Sequence, residues 1–287
     1  ITRQACASSF ALCLVALWAL SDPCAAEVLT RPGLVRQSAD SSQRRPLLAS
    51  IDAPRERRRT GVLKRGDKPY RTQRKTPYVK ALIAANVGMF ALQALSKGRI
   101  TAMGCKPARS FRRADWPRLF TPMVLHGGVA HLAVNTYSLY NIGSVVESYF
   151  GSTRFGVVYV LSGVAGNIAS YRFNPFVQSV GASGAIFGLI GAYAAFLLAN
   201  DEILGDAGAA ALTDLSRVVL LNIAIGIMPG SAIDNFGHAG GLVGGLLVGQ
   251  AVAPRLRMCH DALWPFSTRA MVVDRSPWAE VHRRSRT

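Results

Sequence analysis

From Tyr78 onward, the chain alternates long apolar stretches with short polar connections. Several of these stretches approach the roughly 20 residues that a helix needs to cross a bilayer. Because lipid cannot satisfy the open edges of a sheet, each stretch is predicted to be a helix. The pattern predicts an all-α membrane protein built as a bundle of six transmembrane helices. The six predicted spans cover residues 78–95, 123–146, 155–171, 179–198, 217–233 and 235–253.

The residues before the first span follow a different pattern. Arg3 precedes "SSFALCLVALWAL", an apolar run too short to cross a bilayer, and small residues follow near Ala26, as in secretory signal peptides. Residues 27–76 are rich in Arg and Ser, as organelle transit peptides are. The combination fits a plastid reached through the secretory route. A mitochondrial or secretory-pathway membrane and a plain cytosolic tail are the alternatives, and residues 1–76 are expected to be a disordered basic region.

Composition and charge narrow the possible functions. Half of the residues are hydrophobic and 17% are charged, which suits a multispanning membrane protein. The net charge of +17 would fit nucleic-acid binding if it were clustered on a folded surface, but residues 1–75 alone hold 15 Lys or Arg against 6 Asp or Glu. We therefore expect a lipid bilayer as partner and no nucleic acid. The five cysteines show no CxxC spacing, so a disulfide framework and a zinc site are not expected. No other metal and no cofactor are expected.

The basic flanks also predict the orientation of the spans. A basic stretch precedes the first span, and Arg255 and Arg257 follow the sixth. With six spans, both basic segments lie on the same side of the membrane, and the positive-inside rule places that side inside. The connection over 96–120, which then lies outside, is itself basic and counts against this topology. In this orientation, the N-terminal ends of spans two, four and six meet at the outer side.

Polar side chains cluster at those three ends. Span two begins near "HGGVAHLAVN", span four near Ser183 and span six near His238. Polar residues within a membrane are costly and usually functional, so their agreement in depth indicates a site. A serine hydroxyl needs a base within about 2.6 to 3.2 Å to become a nucleophile, and His238 is the best candidate. Phe187, one turn after Ser183, is expected to pack on the His238 ring.

Glycine stripes on spans four and six would bring this pair together. Small residues that recur every four positions let two helix backbones approach closely. One stripe comprises Gly184, Gly188 and Gly191, and the other Gly237, Gly241, Gly245 and Gly249.

Acyl transfer also requires hydrogen-bond donors for the developing oxyanion. His131 and Asn135 are spaced i, i+4 and share one face of span two, and the start of span four offers unpaired backbone N–H groups. Asp234 precedes His238 by four residues but is expected at the mouth of the helix, so the chemistry is interpreted as a Ser–His dyad. Each element alone has a plainer interpretation: "GASG" as helix packing, the histidines as a metal site, and His126 as a brace for the loop.

Taken together, these elements resemble the rhomboid intramembrane serine proteases, most closely those of plant and algal plastids. The resemblance covers about residues 78–253 and implies a six-helix core around a water-accessible cavity, with Ser183 as nucleophile and His238 as base. It implies oxyanion or supporting roles for His131, Asn135, Gly181, Gly184, His126 and Phe187. The tryptophan–arginine element of the first loop corresponds to Trp116 and Arg118, with Pro117 inserted between them. The segments that carry the resemblance are "DWPRLFTPMVLHGGVAHLAVN", "VGASGAIFG" and "GHAGGLVGG".

The predicted organisation is a targeting or disordered basic region over 1–76, a six-helix protease domain over 77–254 and a basic C-terminal tail over 255–287. No seventh span is expected. The resemblance implies an endopeptidase that cuts membrane protein substrates in or near their transmembrane helices. A non-catalytic rhomboid-like membrane chaperone is the second hypothesis, although such relatives typically lack the serine or the histidine. A transporter is the third, and the chain lacks the internal symmetry that it would predict.

Overall fold

The structure is a computed structural model that describes residues 61–64, 67–73, 75–260 and 270–284, and most of these residues are helical. The targeting region predicted over 1–76 lies largely outside the described residues. The helices are α1 (Pro77–Leu95), α2 (Arg99–Gly104), α3 (Val129–Ser138), α4 (Ser144–Phe150), α5 (Ser152–Phe173), α6 (Ser183–Ala199), α7 (Asp201–Gly226), α8 (Asn235–Val252) and α9 (Pro277–Arg284). The strands are β1 (Gly61–Val62), β2 (Leu256–His260) and β3 (Ala270–Asp274).

Helix α6 forms the centre of the bundle. Nearly every residue over 185–197 is buried, and no residue of this helix carries a charge that would need contact with water. Helices α5 and α8 pack against it closely, since glycines line the contacts. Helices α1 and α7 lie outside and expose apolar side chains such as Val87 and Leu220, as a lipid-facing surface requires.

Two described helices, α1 and α7, are long and apolar enough to cross a membrane by length and hydropathy alone, and α6 is apolar but shorter. The other predicted spans contain glycines and polar residues that lower their hydropathy. The six-span count therefore stays a prediction.

Two predicted spans have different bounds in the structure. The second begins at Val129 rather than at residue 123, because Pro122 and the glycines 127 and 128 hold the preceding residues in short turns. It continues without a break from α3 through a π-helical turn, Leu139–Gly143, into α4. The fifth, predicted over 217–233, is wrong at both ends, since α7 occupies Asp201–Gly226. The acidic residues in the first half of α7 interrupt the apolar pattern, so the pattern did not predict a helix there.

The termini of the described chain form a three-stranded sheet, so the all-α prediction is wrong for these segments. Strand β2 pairs antiparallel with β3, in the register Leu256 opposite Asp274, and parallel with β1. Arg275 forms an ion pair with Asp67 at 2.6 Å, and Arg154 of α5 forms one with Asp274 at 2.7 Å. These strands escaped prediction because β1 and β2 pair across nearly 200 residues of sequence.

Candidate active site

Three helix starts meet at one end of the bundle. Helix α6 begins at Ser183, α8 begins at Asn235 with His238 in its first turn, and α3 begins at Val129 with His131 in its first turn. Asp234 fixes the start of α8, because its side chain accepts the backbone N–H of Gly237 at 3.0 Å.

Ser183 and His238 are in direct hydrogen-bond contact. The Nε2 atom of His238 lies 2.8 Å from Oγ of Ser183, within the range in which a base can take the hydroxyl proton. The Phe187 ring stacks on the His238 ring, with centroids 4.3 Å apart and planes inclined by 12°. This contact limits rotation of the imidazole and leaves its edge facing Ser183.

The glycine stripes set the distance between the two helices. A methyl group at Gly241 would overlap the carbonyl oxygen of Gly184, and one at Gly245 would overlap that of Gly188. Further along, a methyl group at Gly249 would lie 2.7 Å from Cα of Ala192. Because backbone meets backbone, any larger side chain on this face of α8 must separate the helices.

No carboxylate completes a triad among the described residues. Asp234 is the nearest acid along α8, but its two oxygens accept from the backbone of Gly237 and from the hydroxyl of Ser170. The Nδ1 atom of His238 is buried and makes no hydrogen bond within the described part of the chain. The arrangement is a serine–histidine pair.

His131 presents a donor to the same place. Its Nδ1 atom accepts the backbone N–H of Gly127 at 3.3 Å, so a neutral ring carries its proton on Nε2. That Nε2 faces Gly181, where a Cβ would lie 2.8 Å from it and 3.7 Å from Oγ of Ser183. Gly181 has a φ of +132°, and the lack of a side chain there leaves room for the His131 ring.

Other predicted residues are close to the site but bond elsewhere. The Asn135 amide donates to the carbonyl oxygen of His131 at 2.9 Å, and none of its hydrogen bonds to described residues reaches Ser183. The N–H of Gly181 donates to the carbonyl oxygen of Pro122 at 2.9 Å and is therefore occupied. Gly184 packs against Gly237. The N–H of Ile186 donates to the carbonyl oxygen of Ala182 at 3.0 Å, whereas the N–H groups of Ser183, Gly184 and Ala185 precede the first bond of the helix and remain available as donors.

The backbone of His126 is held by α1, whereas both ring nitrogens of His126 are buried and make no hydrogen bond within the described part of the chain. The amide side chain of Gln93 in α1 accepts the His126 N–H and donates to its carbonyl oxygen, both at 3.0 Å. The His126 ring meets the His131 ring edge to face, with centroids 5.5 Å apart. Sequence reasoning missed Gln93, because a glutamine in an apolar helix has many possible partners.

The tryptophan–arginine element lies in the loop between α1 and α3. Trp116 is 63% exposed, whereas Arg118 donates to the carbonyl oxygen of Met103 at 3.1 Å. Asp115 is buried and bonds to Arg109 at 2.6 Å, and this hydrogen bond holds the pKa of Asp115 below its usual value. Trp116 and Arg118 therefore do not join the Ser183 cluster through any hydrogen bond of the described residues.

The described residues gather no group of three or more His, Cys, Asp or Glu side chains that could hold a metal ion. Cys105 and Cys259 are buried and free.

Comparison with known proteins agrees with this geometry. The rhomboid domain family matches residues 113–255, which include Ser183, His238 and His131. The chain belongs to the rhomboid family. Family membership implies an integral membrane protein.

Individual relatives cover part of the chain. The chain is 39% identical to the rhomboid protease GluP of Bacillus subtilis (strain 168) over 184 residues, 62% of this chain and 35% of that protein. It is 46% identical to RHOMBOID-like protein 1 of Arabidopsis thaliana over 46% of this chain and 33% of the relative. For RHOMBOID-like protein 6, mitochondrial, of the same plant, the identity is 42%, over 46% of this chain and 42% of the relative. The chain thus spans less than half the length of each of these three relatives.

Proposed function

We propose that the chain is an intramembrane serine endopeptidase that hydrolyses peptide bonds in or near the transmembrane helices of membrane protein substrates. The observation that carries the proposal is the 2.8 Å contact between Nε2 of His238 and Oγ of Ser183 at the start of two apolar helices. An alanine at position 183 would pack equally well, so packing alone does not account for the hydroxyl group. The similarity to the Bacillus subtilis protein named rhomboid protease GluP supports the same activity.

In the proposed reaction, Ser183 and His238 act as a unit. Oγ of Ser183 attacks the carbonyl carbon of the scissile bond, while Nε2 of His238 accepts the hydroxyl proton. The carbonyl oxygen becomes an oxyanion. The C–N bond then breaks as His238 returns that proton to the leaving amine, and the substrate acyl group remains on Ser183 as an ester. Water, deprotonated by His238, attacks the ester carbon. The C–O bond to Ser183 then breaks, the acyl part leaves as a carboxylic acid, and His238 returns the proton to Oγ of Ser183.

The oxyanion would be held by two kinds of donor. His131 carries its proton on Nε2, which faces Gly181 next to the serine. The backbone N–H groups at the start of α6 point to the same end of the helix, where its dipole also favours negative charge. Asn135 contributes indirectly in this proposal, because its amide bonds to the carbonyl oxygen of His131 and steadies the first turns of α3.

The substrate class follows from where the site lies. The serine and the histidines stand at the ends of apolar helices, and the neighbouring outer helices expose apolar side chains. A substrate would therefore approach through lipid and must be a membrane protein. Small, helix-destabilising residues in its transmembrane segment would expose the scissile bond to Ser183.

A cleavage assay tests the proposal directly. The protein, purified in detergent, is incubated with a model transmembrane substrate beside the Ser183→Ala variant. We expect two fragments with the wild-type protein and none with the variant, and a fluorophosphonate probe should label Ser183 only in the wild type. An intact substrate with a folded wild-type protein, together with binding of the substrate, would instead support the chaperone-like hypothesis.

For the compartment, we propose a plastid membrane, from the signal-like and transit-like patterns of residues 1–76. The mitochondrial alternative is supported by the similarity to RHOMBOID-like protein 6, mitochondrial. Expression of the full chain with a C-terminal fluorescent protein in plant cells separates the two. Fluorescence that coincides with a mitochondrial marker, and not with chlorophyll, would contradict the plastid proposal.

A further inference from the structure

A lysine lies buried in the loop between α1 and α3. Lys106 belongs to the basic connection over 96–120, yet the residue is 0% exposed. Its Nζ atom donates to the carbonyl oxygens of Asn174 at 2.8 Å and Val177 at 2.5 Å. The ammonium also lies 5.4 Å from the centre of the Tyr171 ring. All three contacts are to the end of α5 and the connection that leads to Ser183.

Placing an ammonium group there is costly. A buried charge loses its hydration and is tolerated only where hydrogen bonds and a counter-charge replace the water. Burial lowers the pKa of Lys106, and the carboxylate of Asp234 opposes that shift. An apolar side chain of the same length would fill the space without this cost. It would not, however, supply the two hydrogen bonds to the carbonyl oxygens of Asn174 and Val177.

The backbone of Lys106 holds the same connection a second time. Its N–H donates to the carbonyl oxygen of Ser179 at 3.0 Å, and its own carbonyl oxygen accepts the N–H of Ser179 at 3.1 Å. Further on, the N–H of Gly181 donates to Pro122 in the same loop. The eight residues from Asn174 to Gly181 are thus fastened at both ends and in the middle, and Ser183 begins α6 two residues later.

The lysine also interacts electrostatically with the residue that caps the helix carrying the histidine. Asp234, which acts on Lys106 electrostatically, caps the start of α8 four residues before His238. It receives a hydrogen bond from Ser170 near the end of α5. One ammonium group therefore bonds to the connection before Ser183 and attracts the cap before His238.

We infer that Lys106 is a positioning residue that sets the approach of Ser183 to His238 by anchoring the connection 174–182 to the loop between α1 and α3. The inference rests on the proposed function, since the reactivity of Ser183 is what the anchoring serves. Lys106 touches neither the substrate nor the reacting atoms.

Three variants test this role. Lys106→Met keeps the apolar stem and removes the donors, while Lys106→Gln restores two N–H donors without the charge. Lys97→Met is the matched control, because Lys97 is an exposed lysine of the same loop. For each, we would measure the rate of fluorophosphonate labelling at Ser183, kcat and KM on a model transmembrane substrate, thermal unfolding, and hydrogen exchange at the amides of Ser179 and Gly181.

For Lys106→Met, we expect labelling and kcat to fall at least about 10-fold with KM within about twofold, since a displacement of about 1 Å can cost about 100-fold in rate. Exchange at Ser179 should speed up, Lys106→Gln should recover part of the rate, and Lys97→Met should match the wild type. Unchanged labelling and exchange in Lys106→Met would overturn the inference. So would loss of the folded state in both Lys106 variants, which would make the lysine a general stabiliser.

The same data separate this inference from the proposed function. If the wild type neither cleaves nor labels, the proposed function fails on the wild type alone. The exchange rates of Ser179 and Gly181 then still decide whether Lys106 anchors the connection, because they do not depend on activity.

Discussion

Gly241 of α8 lies directly against the carbonyl group of Gly184 in α6. Gly184 follows Ser183 in the chain, and Gly241 lies one turn after His238. The distance between the serine and the histidine is therefore set by a contact between two backbones, not by the reach of the side chains. In water such an approach would be held by the hydrophobic effect, but in lipid it depends on close packing of small residues.

Gly241→Leu should inactivate the protein although residue 241 has no chemical role. The leucine side chain has no space on this face, so the helices must separate, and overpacking typically costs about 1 to 3 kcal/mol of stability as well. Labelling of Ser183 and thermal unfolding have to be measured together. The control is Gly88→Leu in α1, where an added Cβ meets nothing within 4 Å. A folded Gly241→Leu protein that labels at the wild-type rate would show that this contact does not set the distance.

Ser183→Ala and His238→Ala should each abolish cleavage while the protein still folds and inserts into the membrane. The two residues share one proton in the proposed reaction, so losing either should cost about as much as losing both. Cleavage of a model substrate by the single and double variants is the measurement, with thermal unfolding as the control for folding. Turnover near the wild-type rate in any of the three would rule out the dyad.

His131→Ala should reduce cleavage strongly, and Asn135→Ala less. An oxyanion donor is typically worth about 10² to 10³ in rate, and the backbone donors of α6 remain in both variants. Asn135 bonds only to the backbone of His131 among the described residues, so its loss should act through the position of that helix turn. The kcat values of the two variants decide the order. A larger loss in Asn135→Ala would mean that its amide, and not the His131 ring, faces the oxyanion.

Asp115 should contribute stability that disappears in acid. Its folded pKa is held below the ordinary value of 3.8, chiefly by the hydrogen bond from Arg109. The contribution is therefore fully present above about pH 3.8 and is lost as the pH falls through the lower folded value. Thermal unfolding of Asp115→Asn and wild type across this range is the measurement. The difference between them should shrink toward zero in acid, whereas a difference that stays constant with pH would show that the charge is not its source.

The helical core and the meeting of Ser183 with His238 followed from local patterns. Apolar runs, glycines four residues apart and polar residues at the starts of three spans are all features of neighbouring positions. They do not depend on knowing which distant residue lies beside them. The proximity of this pair was predicted from those patterns, and the structure has the two side chains in contact. Their roles in catalysis stay predictions until they are assayed.

Features that depend on distant contacts were missed. In sequence, Lys106 resembles the other basic residues of its loop. Nothing in its local sequence shows that its side chain bonds to the connection 174–182. Strand β1, residues 61–62, lies in a region that was predicted to be disordered. Its backbone pairs with β2 at residues 256–260, and this distant partner cannot be inferred from the local sequence. The start of α7 was missed for the opposite reason, since Asp201, Glu202 and Asp206 made the first part of this helix, which is kinked at Gly205, look like a polar connection.

The sheet of β1, β2 and β3 has a consequence for how the protein is made. Strand β1 leaves the ribosome before any helix of the bundle, and its partner β2 leaves after the last of the long helices. The sheet, with its ion pair between Asp67 and Arg275, can therefore close only once every helix has been synthesised. Until then, the segment that carries β1 has no strand to pair with, because β2 has not yet been synthesised. A chain that ends before β2 could pack its helices together but could not form this sheet, so the segment that carries β1 would stay unpaired.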